Sequence, residues 1–405
     1  MGQFMKYAVI LGDGMADYPQ KFLGGKTPLD LAKKPYIDGL CKVSEVGLCK
    51  TVGDGLKPGS DVANLSVLGY DPKECYTGRS PLEAASIGIA LKDTDVTARA
   101  NLVCLSDEEN YADKTMIDYS AGEITTAEAK ILIDYLAEKL NNEKYRLYSG
   151  ISYRHCLVVD NGKIAGDLTP PHDITGKPVK GHLPTSETGK EYLRLMERSA
   201  ELLKGHPVNL ARIKAGKRPA NSLWFWGEGT KPKLQSFTER YGLTGAMISA
   251  VDLLKGIGKL TGMRVIEVEG ATGNYDTNFQ GKANAALDAL KDDDFVYIHM
   301  EAPDECGHHG DAEHKIYSIE QIDGVVKTVS EGLKARKEDY SLLILPDHPT
   351  PLDVMTHVKD PVPYVLYNST KTVSCGAEKY CEMEGAKTGI FEPSGVSLMR
   401  KFLGK

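Results

Sequence analysis

Residues 294–309 read DFVYIHMEAPDECGHH, and residues 340–348 read YSLLILPDH. Each starts as a short β-branched and aromatic run of the kind that forms a buried strand. Each then ends in residues that bind hard metals: Asp304 and His308 in the first, Asp347 and His348 in the second. The run KYAVILGDG at residues 6–14 has the same form and ends in Asp13, and His357 follows in MTH. Strand ends in an open α/β sheet converge on one edge, where ligands usually bind. The three segments and His357 therefore predict the parts of one two-metal site at the carboxyl edge of a parallel sheet.

The surrounding sequence supports such a sheet. KLQSFTERYG, GAMISAVDLLKGIGKLTG, MRVIEVEG, KANAALDALKDDD and YSIEQIDGVVKTVSEGLKAR alternate helical and strand periodicity with the two metal-bearing runs, as parallel β-α units do. The first ninety or so residues share this character. TPLDLAKKPYIDGLCKVS has helical spacing that Pro35 interrupts, and a Gly-Ser turn in GLKPGSDVANLSVLG opens a helix carrying Val62, Leu65 and Leu68. From about Asp93 the texture changes. TARANLVCLSD reads as a strand, TTAEAKILIDYLAEKL as an amphipathic helix capped by Thr125 or Thr126, and YRLYSGISYRHCLVVDNG as a hairpin. ETGKEYLRLMERSAELLKGH is a further helix, and SLWFWGEG closes the region as a strand. The expected fold is α/β, a doubly wound and mostly parallel sheet built from residues 1–91 and 230–405, with a smaller α+β domain of residues 92–229 inserted.

Composition narrows the function. The chain has 405 residues, 41% hydrophobic and 26% charged, with a formal net charge of -7, the profile of a globular protein with two domains. Its basic residues are scattered, which argues against a nucleic-acid partner. No run approaches the roughly 18 apolar residues of a membrane span, and the N-terminal apolar run is too short for a signal sequence. The eight cysteines form no Cys-x-x-Cys pair and read as buried free thiols of a cytoplasmic protein. Cys306, between Asp304 and His308, reads as a spacer.

Two divalent ions at a phosphoryl site need carboxylates and neutral imidazoles, so that the attacking and leaving oxygens are clamped and the phosphoryl charge is offset. Asp13, Asp304, Asp347, His308, His348 and His357 are of the right types. His309, Asp311 and His314 read as outer or surface residues, and His299 as a core histidine. Ser60, in PGSDVANLS, stands at a helix start, where backbone N–H groups and the helix dipole favour an anion. Beside a metal its hydroxyl would be nucleophilic. Away from one it would be an ordinary N-cap.

DGM, PGSDVAN, YTGRSPLEAASIGI, APDECGH, PDH and the TH before DPVPY together resemble the alkaline phosphatase superfamily. More closely, they resemble the archaeal type of cofactor-independent phosphoglycerate mutase, over essentially the whole chain. The resemblance implies an alkaline-phosphatase type of sheet with an inserted substrate domain. One ion would be held by Asp13, Ser60, Asp347 and His348, and the other by Asp304, His308 and His357. Manganese is typical, with magnesium, zinc and cobalt as alternatives, and no 2,3-bisphosphoglycerate is required. Ser60 would be transiently phosphorylated while 3- and 2-phosphoglycerate interconvert. A closing insert would exclude water and supply cations for the carboxylate of this small phosphorylated substrate. Arg99, Arg154 and His155 are candidates from the insert, with Arg79 and Lys282 from the main domain.

Two departures bear on the substrate. Glu123 stands where archaeal members carry arginine after a glycine, and Trp224, Phe225 and Trp226 fill a strand that is less aromatic there, with an arginine near its end. A homoserine-kinase-like phosphotransferase, a metal-dependent phosphatase and a non-catalytic binding module are the rival readings. The sequence leaves the oligomeric state open.

Overall fold

The computed structural model describes residues 5–405. The strands are β1 (Lys6–Gly12), β2 (Glu45–Cys49), β3 (Val96–Leu105), β4 (Met116–Asp118), β5 (Tyr145–Ile151), β6 (Arg154–Val159), β7 (Ser222–Thr230), β8 (Gly245–Ile248), β9 (Arg264–Ile266), β10 (Phe295–Met300), β11 (Tyr340–Leu345), β12 (Val362–Asn368) and β13 (Phe391–Glu392). The chain divides into two compact units, Met1–Tyr76 with Lys233–Lys405, and Thr77–Pro232.

The first unit is built on a sheet of order β13-β2-β12-β11-β1-β10-β8-β9. β12 is antiparallel to both its neighbours, while the other pairs are parallel, so only β12 runs against the rest. This is the expected mostly parallel α/β sheet. The register aligns Ala8 with Val296 and Leu342, and Ile10 with Ile298 and Ile344. These six side chains share one face and pack in a core with Ile319, Ile322 and Val326 of helix Ala312–Ala335 and Ala283 and Ala286 of helix Phe279–Asp292. Each large aliphatic group buried there contributes about 1.5–3 kcal/mol relative to exposure. The opposite face carries Val9, Tyr297 and Leu343 in one row and Leu11, His299 and Leu345 in the next. It is also buried, so these strands read as continuous apolar runs rather than alternating ones.

The second unit is an antiparallel sheet in which the ten-residue β3 pairs with β6, β7 and the short β4, and β5 pairs with β6. Helices Thr126–Leu140 and Glu187–Leu203 pack on it through Leu132, Ile133, Leu136, Tyr192 and Met196. The first begins in a capping box, Thr125 with Glu128. The expected start of this unit, residue 92, falls too late. Helix Ser80–Ser86 packs Ala84 against Cys156 and Val158 of β6, so the stretch from Thr77 belongs with this sheet.

Candidate metal centre

β1, β10 and β11 are adjacent and parallel, so their carboxyl ends lie at one edge of the sheet. Asp13 is the first residue beyond β1, and Asp347 and His348 follow β11 after one proline. Asp304 and His308 stand one helical turn apart on helix Ala302–His308, which begins just after β10. His357 comes from the loop between β11 and β12. Three strand ends and one loop thus bring together residues spread over more than three hundred positions.

The side chains fall into two groups, Asp13 with Asp347 and His348, and Asp304 with His308 and His357. Within each group the ligand-capable atoms lie within 4.8 Å of one another. The first group is wholly buried: His348 Nε2 is 3.6 Å from Asp13 Oδ1 and 3.4 Å from Asp347 Oδ2. The second is partly open, with His308 Nε2 2.9 Å from His357 Nε2 and 3.2 Å from Asp304 Oδ2. The His308 Nδ1–H donates to the Met355 carbonyl at 3.0 Å, which turns Nε2 inward.

The electrostatics fit cations. Burial, then the Asp347 and Asp304 charges, push the Asp13 carboxyl well above the usual carboxylate range. Its Oδ1 is buried without a hydrogen-bond partner among the described residues. Burial also pushes Asp304 up, but His308 and His357 outweigh it and hold the carboxyl well below its ordinary range. The hydrogen bond to Asp304 raises His308 to about 9, while burial lowers His348. An orphaned carboxylate oxygen and two imidazole nitrogens facing each other are donor sets that a divalent ion in each group would satisfy.

Ser60 is the first residue of helix Ser60–Val67, with Gly59 as the N-cap and no side-chain capping bond. It is therefore not an ordinary N-cap serine. Its half-buried Oγ stands 3.3 Å from His348 Nε2. Asn64, one turn on, donates to Asp347 Oδ2 at 2.9 Å and accepts from the Tyr297 hydroxyl at 2.6 Å. Thr51 donates to the Asp347 carbonyl, and Thr350 donates to Asp304 Oδ1. Gly14 has φ +62° and lies so close to Asp304 that a Cβ would sit 2.5 Å from its Oδ1.

In the second unit, Arg79, Arg99 and Arg154 gather around one carboxylate. Glu83 Oε1 is 2.9 Å from Arg79 Nε, and Oε2 is 2.9 Å from Arg99 Nε. Burial pushes the Glu83 carboxyl up, but Arg99, Arg79 and Arg154 outweigh it and hold it below its ordinary range. Arg99 lies over the Trp226 ring at 4.1 Å, and Arg154 over Tyr153 at 5.1 Å. The exposed His172 meets Trp226 edge-on, with ring centres 5.1 Å apart.

The chain matches the family model for 2,3-bisphosphoglycerate-independent phosphoglycerate mutase over residues 41–209. A Methanosarcina barkeri protein of that name is 51% identical over 387 residues, spanning 95% of this chain and 96% of the relative. The chain belongs to the 2,3-bisphosphoglycerate-independent phosphoglycerate mutase family. A Methanothrix thermoacetophila mutase of the same family is 47% identical over 98% of this chain and 99% of its own length. Among solved structures, a Pyrococcus horikoshii protein superposes with a TM-score of 0.83 at 30% identity, covering 100% of this chain and 98% of the other. The cofactor-independent phosphoglycerate mutase of Thermoplasma acidophilum gives 0.67 at 25% identity, with 99% of both chains covered.

Two of the expected substrate residues do not face an open site. His155 alternates with Arg154 along β6 and so points into the helix-side core beside Leu157 and Val159. Its Nδ1 accepts from the Gly150 N–H at 3.0 Å, and burial lowers its pKa to about 3. Lys282 is 1% exposed and donates to the His299 carbonyl at 3.1 Å, with burial lowering its amine to about 8. It clamps β10 to helix Phe279–Asp292. Asn64, Tyr297 and Thr350 escaped the sequence reading because amides, phenols and hydroxyls in apolar runs carry no ligand signal. The repeated polar positions in β10, Tyr297 and His299, were the available hint.

Proposed function

We propose that this mutase-family chain interconverts 3- and 2-phosphoglycerate at a two-metal site, through a phosphoserine on Ser60 and without 2,3-bisphosphoglycerate. The observation that carries this reading is Ser60 Oγ, uncapped and 3.3 Å from His348 Nε2 beside the two ligand groups. Asp13, Ser60, Asp347 and His348 would hold one divalent ion, and Asp304, His308 and His357 the other. Manganese is the first candidate, ahead of magnesium, zinc and cobalt. Such ions, when bound, lower the pKa of a hydroxyl and offset phosphoryl charge.

Ser60 Oγ forms its bond to phosphorus as the ester oxygen of the phosphoglycerate leaves. The serine gives up its proton, and the departing glycerate oxygen takes one up. The reverse transfer to the other glycerate hydroxyl restores the serine. Asn64 fixes Asp347, and helix Ser60–Val67 directs backbone N–H groups toward the phosphoryl oxygens. Arg79 and the exposed Arg154 would offer guanidinium groups to the substrate carboxylate, whereas the buried Arg99, expected beside them, is held by Glu83 and the Trp226 ring.

The net charge of -7 argues against a nucleic-acid partner, and no helix of the described residues is long and apolar enough to cross a membrane. We place the enzyme in the cytoplasm, acting on a small phosphorylated substrate. The homoserine-kinase-like reading has no support in these relatives.

The test supplies manganese-loaded protein with 3-phosphoglycerate, follows 2-phosphoglycerate through enolase and measures free phosphate in parallel. Enolase-coupled turnover without phosphate release is expected. Ser60→Ala should abolish turnover while retaining most of its bound metal. An active Ser60→Ala enzyme refutes the phosphoserine route, and phosphate release alone makes the protein a hydrolase.

A further inference from the structure

His299 lies outside both ligand groups, yet it touches one of them. Its Nε2 is 2.8 Å from Asp13 Oδ2, and its Nδ1 is 3.1 Å from Ser249 Oγ. The sheet register explains the meeting. β8 lies beside β10 with Ile248 aligned to Ile298, so Ser249 falls next to His299. β1 lies on the other side with Leu11 aligned to His299, and Asp13 is two residues further on, on the same face. All three side chains are buried.

The hydrogen-bond directions follow from the Asp13 carboxylate, which as the ligand of an ion only accepts, so the His299 ring carries its proton on Nε2 and donates it to Oδ2. Nδ1 then accepts from the Ser249 hydroxyl, whose oxygen in turn accepts from the Val251 N–H at 3.0 Å. The other oxygen of Asp13, Oδ1, has no hydrogen-bond partner among the described residues and lies 3.6 Å from His348 Nε2, inside the first ligand group. The Lys282 ammonium, bonded to the His299 carbonyl, fixes the strand from which the ring projects.

We infer that His299, oriented by Ser249, is a positioning residue that occupies one oxygen of Asp13 and presents the other to the ion as a single-oxygen ligand. This rests on the reading of Asp13 as a metal ligand. Partners that orient a ligand in this way commonly set metal affinity by about 10- to 100-fold. The ring acts as a neutral donor through a fixed tautomer, and glutamine can imitate that because its Nε2 also donates while its Oε1 accepts.

The test is calorimetric titration of the full-length, metal-stripped protein with Mn²⁺, without substrate. His299→Leu should weaken binding at the site that Asp13→Asn abolishes by about 10- to 100-fold. Ser249→Ala should weaken it by about 3- to 10-fold, and His299→Gln should recover most of the loss. At saturating Mn²⁺ the Ser249→Ala enzyme should regain wild-type kcat, since the defect lies in holding the ion. Asp13→Asn is the control. If it loses the site while His299→Leu and Ser249→Ala bind like wild type, the positioning role is overturned and the ligand assignment stands. If Asp13→Asn itself binds Mn²⁺ normally, the ligand assignment fails and the inference falls with it. Should His299→Leu fail to fold, Ser249→Ala and His299→Gln still decide: wild-type affinity in the first overturns the proposal, as does full loss in the second.

Discussion

Replacing Glu83 by glutamine removes the one negative charge between two arginines and leaves Arg99 in the interior without its partner. The Arg99 and Glu83 side chains are 9% and 21% exposed, and their charged atoms are 2.9 Å apart. At an effective dielectric constant of about 20, unit charges about 4 Å apart attract by about 4 kcal/mol. Breaking such a buried pair from one side costs about 3–5 kcal/mol, because the remaining charge keeps its desolvation penalty. The assay is built into the sequence, since the chain has two tryptophans and both, Trp224 and Trp226, lie in the second unit. Tryptophan fluorescence during urea unfolding therefore reports that unit. With a urea dependence of about 1–3 kcal/mol per molar, Glu83→Gln should lower the midpoint by on the order of 1–2 M at pH 7. The arginines hold the Glu83 carboxyl below its ordinary range, so its contribution is present above the unfolded pKa of about 4.3 and is lost as pH falls through the lower folded value. The gap between wild type and variant should accordingly close in acid. Removing both charges, in Glu83→Gln with Arg99→Met, should recover most of the loss. A single variant that moves the midpoint by less than about 0.3 M, or a double variant no more stable than the single one, refutes the argument.

Two further outcomes test the metal centre. Gly14→Ala places a methyl group 2.5 Å from Asp304 Oδ1 in a backbone conformation of φ +62°. It should cut turnover by about 100-fold and weaken Mn²⁺ binding, and normal affinity in a folded variant would contradict the packing described. Uptake of Mn²⁺ near pH 7 should release protons, because Asp304 raises His308 to about 9 and burial with neighbouring carboxylates raises Asp13. Calorimetry in buffers of different ionisation enthalpy should then give different apparent heats, and identical heats would refute those shifts.

The candidate ligand residues were legible because each chemistry-bearing group follows a strand. Asp13, Asp347, and Asp304 with His308 sit just past β1, β11 and β10, and a parallel sheet collects such ends at one edge. The insert was less legible. Arg154 and His155 are neighbours in sequence, but the period of two along β6 sends one toward Arg99 and the other into the core. Residues 77–91 have the local periodicity of the first segment, yet helix Ser80–Ser86 packs on the second sheet. Trp224 and Trp226, adjacent but for one residue, also differ: Trp224 is buried and donates to the Thr169 carbonyl, whereas Trp226 donates to Asn101 and carries Arg99 on its ring.

By itself, then, the sequence determined the α/β class, the donor types and the edge on which they meet, because periodicity and ligand chemistry are local properties. The division into Asp13–Asp347–His348 and Asp304–His308–His357 came from the family resemblance and is the grouping the structure brings together, while only the tertiary structure decided the 3.3 Å approach of Ser60 to His348 and the buttressing of Asp13 by His299 and of Asp347 by Asn64. Those contacts join residues separated by hundreds of positions. They depend on strand order and register, which no local pattern encodes.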